Sequence, residues 1–183
     1  MNIRAGCLLI ANPTLRDPNF ARTVVLLCEH GEEGSMGLVV NRPTQHSVAE
    51  AIPDMPKRAT LCLYWGGPVQ QQLVLVLHRR SLEAPGGREI GDGMALGTDA
   101  DALAQILASA QDPAEHVRVF SGYAGWGAGQ LEAEMEERSW IVAPGQASLV
   151  FAADAATMWA VALQQLGPRY AHLANVPLDP RVN

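Results

Sequence analysis

Short, densely apolar runs alternate with polar, punctuated stretches along this chain, and the early runs read as strands. Residues 6–11 form the first. Residues 23–27 are β-branched and continuously apolar, the mark of a strand covered on both faces. After a polar, glycine-bearing turn at 30–35, residues 36–40 resume the pattern, so 23–40 predicts a β-hairpin. Between the first two runs, NPTLRDPNFAR (12–22) contains Pro13 and Pro18, which remove donors and turn the preceding residues away from helix. That predicts an irregular loop, pinned to the core by Leu15 and Phe20. Asn41-Arg42-Pro43 ends the hairpin, and Ser47-Val48-Ala49-Glu50 fits a capping box. Pro53 and Pro56 keep that helix short.

Residues 60–65 and 73–78 read as strands, separated by a Gly66-Gly67-Pro68 turn. Residues 81–97 form the longest irregular stretch, with a short strand near 94–96, and suit a mobile lid. Thr98 or Asp99 caps a helix running to about residue 110, with Leu103, Ile106 and Leu107 as its buried stripe. A strand at 116–120 then feeds SGYAGWGAGQ. Glycines at 122, 125, 127 and 129 predict a tight strand-to-helix corner, because glycine permits backbone shapes and close approaches that a side chain forbids. The helix after it opens at Gln130 and turns Leu131 and Met135 inward. Residues 140–143 and 149–152 read as strands. Asp154 caps the last strong helix, Gly167-Pro168 stops it, and the tail from Pro177 is polar. Hairpin-linked strands come first and helices dominate later, which predicts one mixed α+β domain over residues 1–183 with about four surrounding helices.

Composition narrows the function classes. With 183 residues and 48% apolar content, folding buries roughly 70% of the unfolded chain's surface, so no metal or disulfide staple is required. The net charge is −6, and basic residues occur singly or in pairs (Lys57-Arg58, Arg79-Arg80). Direct contact with nucleic acid wants a basic face instead. Cys7, Cys28 and Cys62 lie in apolar runs without C-x-x-C spacing and read as buried reduced thiols. The opening MNIRAGCLLIANP has an apolar stretch too short to span a membrane and no basic leader, which predicts a cytoplasmic protein with no membrane partner.

Three chemical readings fail on pattern. At the glycine corner, Gly122-x-x-Gly125-x-Gly127 is not G-x-G-x-x-G, and the acidic Glu132, Glu134, Glu136 and Glu137 would repel a phosphate. Gly34-Ser35-Met36-Gly37 has Glu33 where a nucleophile elbow needs glycine, and a strand follows where a helix should. The five histidines are scattered, and the Glu29-His30-Glu32-Glu33 cluster sits at a hairpin tip, so no metal is expected. No cofactor and no catalytic residue is predicted.

The residues also carry a resemblance. Gly6-Cys7-Leu8-Leu9-Ile10-Ala11-Asn12-Pro13, Asp17-Pro18-Asn19-Phe20, Arg22-Thr23-Val24-Val25 and His30 are followed by Gly37-Leu38-Val39-Val40-Asn41-Arg42-Pro43, Gly66-Gly67-Pro68-Val69 and Leu77-His78. Gly122-Tyr123-Ala124-Gly125-Trp126, Gln130-Leu131-Glu132-Ala133-Glu134 and Trp140 complete the set. Spread over nearly the whole chain, these resemble the bacterial YqgE/AlgH family; Leu75 and Val76 depart from the Phe that the family often has before Leu-His. The resemblance implies an α+β fold whose sheet splits and curls toward a small barrel. It also implies a cytosolic bacterial protein, and it brings the family's label of transcriptional regulator. It carries over no catalytic residues.

The candidate ligand- or partner-binding residues are Asp17, Arg22, His30, Asn41, Arg42, Tyr123, Trp126 and Gln130. In the functional version, Asn41 and Arg42 share a groove with Trp126 and Gln130. In the structural version, Asp17 makes an Asx-type turn and Arg22 pairs with a carboxylate. The leading expectation is a non-enzymatic regulatory module acting through a protein partner. The alternatives are a small-molecule-binding protein or enzyme at the 122–130 corner, and a direct DNA-binding regulator.

Overall fold

The structure, a computed structural model, describes residues 3–52, 55, 61–80, 87–98, 100–109, 112–152 and 154–176. Ten strands appear among them: β1 (Cys7–Ala11), β2 (Val24–Gly31), β3 (Gly34–Val39), β4 (Pro43–Ser47), β5 (Cys62–Trp65), β6 (Val69–Arg79), β7 (Arg88–Gly91), β8 (Met94–Gly97), β9 (Val117–Gly127) and β10 (Trp140–Pro144). The helices are α1 (Val48–Ala51), α2 (Ala100–Ser109), α3 (Gln130–Glu136), α4 (Ala147–Val150), α5 (Met158–Gln165) and α6 (Pro168–Ala171). The sheet runs β10-β1-β2-β3-β9-β6-β8-β7 and curls into a half-barrel, with β4 attached through β5. Every pairing is antiparallel except β5 with β9. The expected α+β class and largely antiparallel, curled sheet are both present.

The sheet forks at β9. One edge of this strand pairs with β6. The other edge is shared: Val119–Ser121 runs beside β5, and Ala124–Gly127 pairs with β3. At the fork the Val39 N–H donates to the Gly66 carbonyl and the Gly66 N–H to the Ser121 carbonyl, each at 2.9 Å. There is no room here for side chains. A Cβ on Gly66 would lie 2.2 Å from the Gly122 oxygen, and Gly122 itself holds φ +70°. Gly122 therefore serves close backbone approach inside a strand. The strand runs to Gly127, seven residues past its predicted end, and the corner is displaced to 128–129.

Alternation along the strands feeds two cores. Leu8, Ile10, Val24 and Leu26 face one cluster with Phe120, Met158 and Trp159. Cys7, Leu9, Val25 and Leu27 face another with Trp126, Leu131 and Trp140. This is the two-sided cover expected of continuously apolar strands. A third cluster packs Leu103 and Ile106 of α2 on Val76, Val117 and Val119, with Leu107 half-buried beside it. Leu15 and Phe20 do pin the 12–22 loop, against the Trp126 cluster.

Three other expectations change. Residues 87–97 are not irregular: β7 and β8 form a hairpin closed by Asp92 and Gly93, both at positive φ. Residues 147–150 form one helical turn where a strand was expected. Its Ala147 N–H is taken by Asp92 Oδ2 at 2.5 Å. Asp154 organises the turn before α5, accepting from Thr157 Oγ1 at 2.7 Å, while Thr157 is the cap position itself. Residues 53–54, 56–60, 81–86, 99 and 177–183, on which parts of the capping, lid and tail expectations fall, lie outside the described residues.

Candidate functional site

Asn41 follows β3 and fastens the 12–22 loop to the sheet. Its Oδ1 accepts from the Val24 N–H at 2.9 Å, and its Nδ2 donates to the Arg22 carbonyl at 3.0 Å. Arg22 sits at φ +56°, so its carbonyl is held by an unusual backbone shape and by that amide together. Arg42 extends the clamp. Its Nη2 donates to the carbonyls of Pro18 at 3.1 Å and Ala21 at 3.2 Å, and its guanidinium lies 5.3 Å over the Trp65 ring. Partial burial lowers the Arg42 pKa from its usual value, and the Asp17 carboxylate opposes that shift. Asp17 makes the expected Asx turn, its Oδ1 accepting from the Asn19 N–H at 2.8 Å. Arg22 does not pair with a carboxylate among the described residues: its side chain donates to the Val176 carbonyl and lies 4.7 Å over Trp159.

These residues border an open groove of about 610 Å³, lined by Asn19, Asn41, Arg42, Pro43, Trp65, Gln71 and Ala156. The lining offers amides, a guanidinium and an indole face. Among the described residues it contains no carboxylate, imidazole, hydroxyl or thiol. The groove can therefore hold hydrogen-bond acceptors and apolar groups.

Trp126 and Gln130 do not join it. Trp126 is 5% exposed and stacks on Phe20 at 6.3 Å and against Trp140 at 6.0 Å. The hub of this region is Glu134. Its Oε2 accepts from the Trp126 indole at 2.9 Å and from the Trp140 indole at 2.8 Å, and its Oε1 accepts from Gln130 Nε2 at 3.0 Å. Gln130 Oε1 in turn takes the Gly127 N–H at 3.0 Å. The sequence reading placed Glu134 in a phosphate-repelling acidic group. Its spacing, four residues after Gln130 on one helix, was the available signal.

His30 lies at the hairpin tip, far along β2 from Asn41, as the hairpin reading requires. Its Nδ1 is 2.8 Å from Ser35 Oγ, and its Nε2 is 3.7 Å from Glu132. Tyr123 lines a separate depression with Glu29, Ser35 and Trp126. Among the described residues no group of three or more His, Cys, Asp and Glu could hold a metal ion.

On the other side of β5 lies a cluster that sequence reasoning missed. Arg118, the second residue of β9 and 6% exposed, lies 4.6 Å over the Tyr64 ring. Its Nη1 donates to Tyr64 Oη at 2.5 Å, its Nε to the Val150 carbonyl at 3.0 Å, and its Nη2 to the Ala152 carbonyl. Burial lowers its pKa, and the Tyr64 hydroxyl partly restores it. The pattern V-R-V-F gave no sign that this face would be covered.

A forked, curled α+β sheet carrying several arginine–aromatic pairs is the class of protein these observations define. The comparisons name its family. A model of the AlgH-like family (DUF179) matches residues 8–171, so the chain belongs to that family, as the resemblance implied. A UPF0301 protein of Chlorobaculum tepidum is 42% identical over 181 residues, covering 99% of this chain and 96% of the relative. A UPF0301 protein of Xanthomonas oryzae pv. oryzae is 40% identical over 170 residues, covering 89% of each. The solution structure of the AlgH protein from Pseudomonas aeruginosa matches with a TM-score of 0.74 at 35% identity, covering 96% of this chain and 97% of that one. A crystal structure from Corynebacterium diphtheriae has a TM-score of 0.80 at 24% identity, covering 96% and 93%, and attests the fold alone.

Proposed function

We propose that this chain is a non-enzymatic, cytoplasmic binding module that regulates through a protein partner, received in the Arg42–Trp65 groove. The observation that carries the reading is the groove's chemistry: donors and an indole face, with no acid, base or nucleophile in its lining. Arginine and tryptophan are the side chains that most often dominate protein contacts. The donors Arg42, Asn19 and Gln71 suit an acidic segment rich in carboxylate and carbonyl acceptors. A net charge of −6 weighs against duplex DNA as the direct partner. Among the described residues no helix is long and apolar enough to cross a membrane.

The test is a photo-crosslinking residue placed at Gln71 in the full chain inside cells. One discrete protein adduct is expected, and it should disappear in Arg42→Ala while the melting temperature stays within a few degrees. Adducts that persist unchanged in Arg42→Ala, or no protein adduct at all, would sink the reading.

A further inference from the structure

The cleft on the Arg118 side of β5 encloses about 720 Å³ and is bordered by Cys62, Tyr64, Arg79, His116, Arg118 and Phe151, among others. Register places its two arginines together. Arg118 of β9 pairs directly with Leu77 of β6, and Arg79 stands two residues on from Leu77. Residues two apart on a strand share a face, so Arg79 and Arg118 are diagonal neighbours on one face of the sheet. Arg79 donates its Nε to the Glu115 carbonyl at 2.9 Å and its Nη2 to the Ala147 carbonyl at 3.3 Å, with its guanidinium 4.9 Å over Phe151.

The acceptors are the informative part. Both arginines are satisfied only by neutral groups, namely backbone carbonyls and one phenol. No ion pair involves either of them among the described residues. Each guanidinium has five N–H donors. Three on Arg118 and two on Arg79 are engaged, which leaves donors on Nη1 and Nη2 of both. Two like charges, one of them almost fully buried, repel each other and lack a counterion; burying such charge is costly unless it is paired. His116 borders the same cleft, and its buried Nδ1 has no hydrogen-bond partner among the described residues. The carboxylates of the lining, Asp112 and Glu115, belong to exposed residues. Asp112 is already engaged with the Ala114 N–H at 3.2 Å.

The geometry points to a binding site for a compact oxyanion, a carboxylate or phosphate head group, held between Arg79 and Arg118 with its apolar body along Phe151 and Tyr64. The site is separate from the Arg42 groove, so neither reading depends on the other. Forked guanidinium donors match two oxygens of such a head group. The aromatic faces and the enclosed volume suit a small molecule.

The experiment is a titration of the ¹⁵N-labelled full chain with sodium phosphate, and separately with sodium acetate, at constant ionic strength. Amide and arginine Nε–Hε signals are followed. Saturable shifts confined to residues 116–118 and 147–152 are expected with at least one anion. Saturation by phosphate alone assigns a phosphate head group, and saturation by acetate alone assigns a carboxylate. Arg79→Gln should weaken binding about tenfold, the scale of one charge-assisted hydrogen bond, with an unchanged fold. Glu115→Gln should tighten it. Linear, unsaturable shifts with both anions, or an affinity indifferent to Arg79→Gln, would overturn the site. Arg79→Gln is preferred to an Arg118 variant because Arg118 is buried and serves three acceptors, at Tyr64, Val150 and Ala152.

Discussion

Arg42 and Arg118 each lie over an aromatic ring of β5, at 5.3 Å from Trp65 and 4.6 Å from Tyr64. Trp65 and Tyr64 are consecutive, so alternation along the strand sends them to opposite faces. Both arginines also donate to backbone carbonyls. Arg42 holds Pro18 and Ala21 of the 12–22 loop; Arg118 holds Val150, the last residue of α4, and Ala152 beyond it. Solvent separates them. Arg42 is partly wet, so losing it leaves acceptors that water can reach. Arg118 is 6% exposed, so losing it would strand the carbonyl of fully buried Val150. The same pair of residue types is thus a solvent-washed fastening on one side, and a buried brace with donors left over on the other.

The comparison can be broken by mutation. Arg118→Ala should cost about 3 kcal/mol, since the Val150 and Ala152 carbonyls and the Tyr64 hydroxyl lose their donor. Urea unfolding measures it. Asn41→Ala should cost about 2 kcal/mol, because the fully buried Val24 loses the acceptor for its N–H. Arg42→Ala should cost about 1 kcal/mol or less by the same measurement. Equal losses at Arg42 and Arg118 would erase the distinction between a wet and a dry face.

A pH series probes the buried side independently of these mutations. Burial pushes the Cys28 thiol from 9.0 up to about 12, against the attraction of Arg88. The protonated thiol is favoured in the fold, so this contribution is whole below pH 9.0 and is lost as pH rises toward 12. Wild-type stability should therefore fall more steeply across that window than that of Cys28→Ala. Parallel slopes would mean that Cys28 is not desolvated.

Much of this architecture was legible because apolar alternation is local. The β2–β3 hairpin, the α2 stripe and the 12–22 loop all follow from short patterns. The Asp92-Gly93 pair was a readable hairpin signal, but the surrounding glycines and Pro85 outweighed it in the reading of 81–97. Strand β4, PTQHS, is polar and half-exposed, so no hydrophobic period marks it. The fork was hidden because close packing between Gly66 and Gly122 is a contact 56 residues apart in number, visible only once the strands are placed. Of the candidate residues, Asp17, Asn41 and Arg42 come together around one loop. Trp126 and Gln130 go to the Glu134 hub instead, because an indole N–H in a core must find an acceptor. Arg118 escaped notice because a lone arginine in a strand reads as the solvent side of a sheet.

The shared edge of β9 also bears on how the chain emerges from a ribosome. Until residues 117–127 are released, β3, β5 and β6 each present an open row of amides and carbonyls with nothing to receive them. Such rows invite pairing with other chains. A nascent or truncated product that stops short of Val117 would carry three sticky borders at once, and its fate would be set by whichever neighbour arrives first.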